Sequence, residues 1–272
     1  MFGIPYKEKE VFNRNFINNV SFEATFAPNR NCTTKRNDIA ASFETELPVK
    51  HDAVSQQIEV SFDTRTKSNS ISTKQDENDH RLVMSAKNGQ KQFELTNISV
   101  KYQESGASYK DQQDFDEKID KVLSFLRDAD VKEFTKTILR KVNIVTFNTR
   151  SGDDRAPAVV YSAVQDLISP KLLSSFQAFS DSMPYMKQHM STMVMEDEDS
   201  ILTVRYGYVI DSKSEDGKQV NGRVIVDLQM AKQTRTNVDE VAQLLGKYHQ
   251  ELYNVFHWCI SDHMQEILRG NI

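Results

Sequence analysis

Val20, Phe22, Ala24 and Phe26 alternate with Ser21, Glu23 and Thr25, the period-two signature of a strand buried on one face. The run stops at Pro28-Asn29. Ile39, Phe43 and Leu47 then recur every fourth residue, predicting a short helix that ends before Pro48. Ile58, Val60 and Phe62 alternate again as a strand. Residues 63–79, rich in Ser, Thr, Asn, Lys and Asp, read as a long mobile loop. A hairpin follows: residues 81–86, a turn at Asn88-Gly89 that accepts positive φ at both positions, and a return over 92–102. Phe93 and Leu95 keep one phase there, while Ile98, Val100 and Tyr102 keep the other, so a bulge is expected near Thr96-Asn97. Phe115, Ile119, Val122 and Leu126 then form the inward stripe of a helix whose N-terminus is rich in acids.

Asp128-Ala129-Asp130 is the natural boundary between two halves, 1–130 and 131–272, or a bend within one continuous domain. In the second half, residues 142–147 predict a strand, 148–154 a polar turn, and 159–176 a helical stretch interrupted at Pro170. Residues 190–195 read as a weaker strand before the acidic turn 196–199. Leu202, Val204, Tyr206, Tyr208 and Ile210 alternate, as do Val224, Val226, Leu228 and Met230, with a polar loop over 211–221 between them. Last comes a long amphipathic helix over 238–268, its stripe running through Val241, Leu245, Tyr248, Leu252, Val255 and Cys259. The fold class is therefore α+β: antiparallel sheets with helices packed on one face, two β-rich halves in pseudo-repeat, and a long C-terminal helix.

Several of these segments resemble a sporadically distributed family of uncharacterised bacterial proteins with no established activity. The opening strand Val20-Ser21-Phe22-Glu23-Ala24 is similar to that family's first strand. Ile39-Ala40-Ala41-Ser42-Phe43, closing at Leu47-Pro48, resembles its next segment. Tyr109 and Phe115 match its entry to the middle helix, with Gln112 where an aromatic is usual. His249 and Phe256 match its last helix, with Tyr248 in place of leucine. The resemblance implies this architecture and carries no catalytic residue.

Charge and composition narrow the function classes. Lys and Arg number 34 against 39 Asp and Glu, a net charge of −5, so nucleic acid is not an expected partner. No apolar window is long enough to span a membrane, and no secretory leader opens the chain. Two cysteines, Cys32 and Cys259, fit a reducing cytoplasm. With nine glycines, the chain holds neither a dinucleotide-binding nor a P-loop motif, and no cofactor is expected.

The chemistry-bearing candidates are few. Cys259, His263 and Glu266 fall on one ridge of a continuous helix, where thiolate, imidazole and carboxylate meet a metal; the alternative is a core Cys beside a surface His. His249 and His257 lie two turns apart at the edge of the apolar stripe. Asp153, Asp154 and Arg155 close a loop that pairs acids with arginines, suited to a phosphate or a cation. The basic residues of 132–141 read as the wall of a solvated helix.

Two functions follow. The first is a non-enzymatic protein-binding or adaptor protein that recognises a polypeptide through a sheet edge or helix face, with Tyr206 and Tyr208 as aromatic anchors. The second is an enzyme whose site joins the 148–155 loop to the last helix. A homodimer packed through the wide stripe of the last helix is a further expectation.

Overall fold

The computed structural model describes residues 2–10, 12, 16–63, 68–150, 156–177, 186–214 and 219–271. The first half runs β1 (Ile17–Thr25), α1 (Arg30–Thr34), α2 (Arg36–Phe43), β2 (Val49–Asp63), β3 (Ser68–Ser85), β4 (Lys91–Leu95), β5 (Ser99–Ser105) and α3 (Gln112–Asp128). The second runs β6 (Glu133–Phe134), β7 (Lys136–Arg150), α4 (Ala156–Leu167), α5 (Ser174–Gln177), β8 (Gln188–Asp197), β9 (Ser200–Lys213), β10 (Gln219–Lys232), β11 (Thr236–Asn237), α6 (Val241–Cys259) and α7 (Asp262–Arg269).

Nine strands form one antiparallel sheet in the order β2-β3-β4-β5-β1-β7-β10-β9-β8, and β6 pairs with β11 in a small second sheet. Each half opens with a strand, places helices next, returns through a meander to pair with that strand, and closes with a helix. β1 and β7, the opening strands of the two halves, pair with each other at the middle of the sheet. The sheet therefore runs without interruption across residue 130.

Alternation along each strand, combined with register between strands, lines the apolar residues up on one face. One line of partners runs Met84, Phe93, Tyr102, Phe22, Leu139, Met230, Leu202, Met195 across eight strands. Helices reach this face: Phe43 of α2 stacks on Phe93 and Tyr102, Phe115 of α3 on Tyr102, and Phe176 of α5 on Tyr206 and Tyr208. The buried apolar residues of sheet and helices join into a single core.

Three expectations from sequence change in the structure. The polar stretch from Ser68 is a strand, β3, paired with β2, because the ladder is satisfied by backbone groups and needs no apolar face, while 64–67 lie outside the described residues. The phase switch near Thr96 is a chain reversal between β4 and β5 rather than a bulge. Thr96 Oγ1 accepts hydrogen bonds from the Ile98 and Ser99 amides at 3.2 and 2.9 Å, the local side-chain closure that favours a turn. At Asn88-Gly89 only Gly89 adopts positive φ, +69°.

The last helix is two helices. Ile260 is extended (φ −98°, ψ 154°) and bridges Ile168 after α4, while the Ser169 amide donates to the Cys259 carbonyl and the Ser261 amide to the Leu167 carbonyl. Ser261 then caps α7 by accepting from the Met264 amide at 3.0 Å. A tertiary contact thus breaks a stripe that is periodic in sequence. Among the described residues no helix is long and apolar enough to cross a membrane.

Phe22 is fully buried at the middle of the sheet, with Tyr102 and Leu139 as its neighbours in register. Phe22→Ala is expected to lower unfolding stability by about 3–5 kcal/mol, measured by chemical denaturation.

Candidate binding sites and buried polar groups

The structure separates the residues that sequence brought forward. Cys259 is buried in α6 with its thiol pushed up to about 12 by burial, and Cys32 is buried and pushed up to about 11. His263 lies beyond the helix break and is exposed, while Glu266 binds Arg269 at 2.5 Å. The continuous ridge expected for these three does not form, since Ile260 interrupts it. Among the described residues no cluster of His, Cys, Asp and Glu is arranged to hold a metal.

Tyr206 and Tyr208 share the phase of Leu202 and Val204, and at 4% and 0% exposure they lie beneath α5 rather than on an open face. Asp153, Asp154 and Arg155 lie outside the described residues. Asn148, at the start of that loop, is held by the Gln219 side chain at 3.2 Å. Lys141, the residue of β7 nearest in environment to His249, is seven positions back along the strand, roughly 23 Å at 3.3 Å per residue. The described end of the 148–155 loop and the histidine of the last helix therefore do not converge.

His249 instead meets α3. Its Nε2 stands 3.0 Å from Asp116 Oδ1, and its ring is fully buried. Gln112 Nε2 donates to Asp116 Oδ2 at 3.2 Å, and Lys9 Nζ donates to Gln112 Oε1 at 2.9 Å. Burial, reinforced by the charge of Lys141, lowers His249 to about 4 against the opposing pull of Asp116. The imidazole is thus neutral at physiological pH. A carboxylate only accepts, so the proton sits on Nε2 and leaves Nδ1 buried without a hydrogen bond.

Lys141 faces the same interior from β7. Lys132 lies in the connection before β6, and Lys136, Arg140 and Lys141 lie on β7 rather than on a helix; alternation turns Lys141 to the helix-covered side, in register with Val20 and Leu228. Burial and the charge of Lys9 lower its ammonium to about 8, with Asp116 pulling the other way. It forms no hydrogen bond or salt bridge among the described residues.

Two strands away, across Val20 of β1, fully buried Glu104 accepts from Tyr102 Oη at 2.6 Å and from Lys91 Nζ at 3.0 Å. These ionisable groups sit at positions whose strand phase is inward. Sequence reasoning missed them by reading only the apolar members of each phase.

The opposite face of the sheet carries Ser21, Gln103, Arg140, Gln229, Thr203 and Val194 along one line of register partners. Here Asp227 is clasped by two arginines. Arg140 binds it through Nε and a terminal nitrogen, both at 2.7 Å, and Arg205 through Nη1 at 3.1 Å. The carboxylate is only 7% exposed, whereas the arginines are 42% and 40% exposed. This triad leaves one net positive charge on the face without helix contacts.

The sheet ends at β8. Its only strand neighbour among the described residues is β9. Met190 and Val194 project from it at 43% and 64% exposure, two of the four exposed large hydrophobics of the described residues. No proline, lysine or glycine falls in its ten residues. A scan against protein-family models, and searches of curated proteins and of solved structures, return no match.

Two outcomes are expected from the interior groups. His249 titrates near 6.5 when unfolded and near 4 when folded, so between these values the unfolded chain binds more protons. Stability is therefore fully present above about pH 6.5 and is lost as pH falls toward 4, by about 3 kcal/mol. His249→Gln keeps a donor to Asp116 without titrating, and should flatten this acid limb in denaturation midpoints measured against pH. Lys141→Met removes a partly buried cation that burial desolvates and that has no hydrogen-bonded partner among the described residues, and should raise stability at neutral pH by about 2–3 kcal/mol, read from the same denaturation curves.

Proposed function

We propose that this chain is a polypeptide-binding protein that accepts an extended segment along β8. The observation carrying this reading is an edge strand of ten residues paired on one side only among the described residues, with Met190 and Val194 exposed, no lysine or proline, and its acids confined to the last two positions. Edge strands are ordinarily blunted by lysine, proline, a bulge or a covering element, because their unpaired amides and carbonyls template another strand. An added strand would gain main-chain hydrogen bonds from β8 and place alternate side chains against Met190 and Val194. The Arg205–Asp227–Arg140 cluster, which runs one to three strands inward on the same face as those two side chains, would favour a partner carrying acidic residues beyond the paired segment.

A specific observation also supports a second copy as the occupant. Antiparallel pairing of two β8 strands about Thr192 would set Met190 of each against Val194 of the other, and Gln188 against Glu196. That pairing would extend the sheet across a twofold axis and cover the exposed apolar pair. Two buried, unbridged cysteines fit the reducing cytoplasm in which we place the protein.

The test is a double substitution, Met190→Lys with Val194→Lys, which keeps the strand and charges its edge. In the unaltered protein, amides of β8 should become protected from hydrogen exchange when Thr- and Val-rich peptides matching the ten residues of β8 are added. The double variant should lose that protection. Sedimentation velocity separates the two occupants: a dimer that dissociates in the variant makes the second copy the partner. If the variant neither alters peptide protection nor changes mass in solution, the edge is not the binding surface.

A further inference from the structure

We propose that the recess between the N-terminal segment, β7 and α6 binds a small amphipathic carboxylate, with the carboxylate taken by Lys141 and the hydrocarbon by the surrounding apolar walls. The recess holds about 100 Å³ and is lined chiefly by Phe16, Ile17, Leu228, Leu252 and Phe256. Lys141 supplies its one charge.

Three features of the backbone and side chains build it. The first is an irregularity in β1. Ile17 pairs with Asn143 and Asn19 with Val142, so one extra residue is inserted and Ile17 is turned to the inner face, where it becomes a wall of the recess. Bulges recur beside functional sites because they re-aim a side chain in this way. The second is the strand phase of β7, which carries Lys141 inward when a residue of ordinary apolar character would satisfy the same register. The third is the commitment of the other nitrogen on the wall: Asn143 Nδ2 donates to the Val226 carbonyl at 3.3 Å. Lys141 is left as the donor without a hydrogen-bonded partner among the described residues.

The chemistry of the walls selects the ligand. A cation would meet the ammonium. A phosphate would demand several donors, where a single ammonium matches the single charge of a carboxylate. A cavity of 150 Å³ accepts the six carbons of benzene, so this recess of about 100 Å³ encloses about four carbons of a chain, a longer one extending through its open side. The amine remains largely protonated at neutral pH, since its ordinary value is lowered only to about 8. A bound carboxylate would supply a hydrogen-bonded counter-charge, where Asp116 acts on the amine only through its more distant charge.

The test is calorimetric titration of the full chain with hexanoate, 1-hexanol and acetate, which separate the charge from the hydrocarbon. Hexanoate should bind more tightly than either control and shift the methyl resonances of Leu228 and Leu252. In Lys141→Met, its affinity should fall by about tenfold or more while that for hexanol is kept. Raising the pH from about 7 to about 9 should weaken hexanoate binding to the unaltered protein only. Retention of the sigmoidal unfolding transition shows that the variant is folded. Equal hexanoate affinity in the two proteins, methyl shifts away from the recess, or no heat at millimolar hexanoate would each overturn the proposal.

Discussion

β1 and β7 pair antiparallel at the middle of the sheet, and on that ladder the two halves of the chain become one structure. Phe22 of β1 lies beside Tyr102 of β5 on one side and Leu139 of β7 on the other, so a single apolar face continues from one half into the next. Without this pairing each half would expose the edge of its opening strand, and its helices would cover only part of an apolar face. Main-chain hydrogen bonds fix the register, and the register sets which side chains meet beneath the helices.

The same register has a less expected consequence. It turns Glu104 and Lys141 to the helix-covered face, which also holds the buried His249 of α6, where a charge or a bare imidazole loses hydration. Glu104 recovers part of that loss from Tyr102 and Lys91, and His249 from Asp116. Lys141 recovers none through a hydrogen bond among the described residues. A leucine at that position would satisfy the strand phase and stabilise the core, which is why the recess around this amine stands out from the polar groups that serve the fold.

Outside the core, the sheet has two unlike faces and an end. Helices use one face, and the other keeps a carboxylate clasped by two arginines. Among the described residues β8 has a strand neighbour on one side only, and it carries two exposed apolar side chains. The proposed recognition of a polypeptide rests on that asymmetry.

Alternation and four-residue periodicity were enough to place β1, α2, α3, β9, β10 and the start of α6, because each rests on a local pattern of apolar residues buried on one side. The antiparallel α+β class followed from the order of those elements. Local pattern could not show that the polar strand after Asp63 would be held by its neighbour, since a ladder is made by backbone groups that every sequence shares. It could not show the break at Ile260, imposed by Ile168 just beyond the end of α4. Nor could it separate Tyr206, hidden beneath α5, from Val194, exposed on the edge, because both read as apolar residues of alternating strands. Burial depends on which face a neighbouring element covers, and that is a property of the folded chain. The meeting of His249 with Asp116, and of Lys141 with an apolar recess, likewise arises only when strands and helices far apart in sequence are packed together.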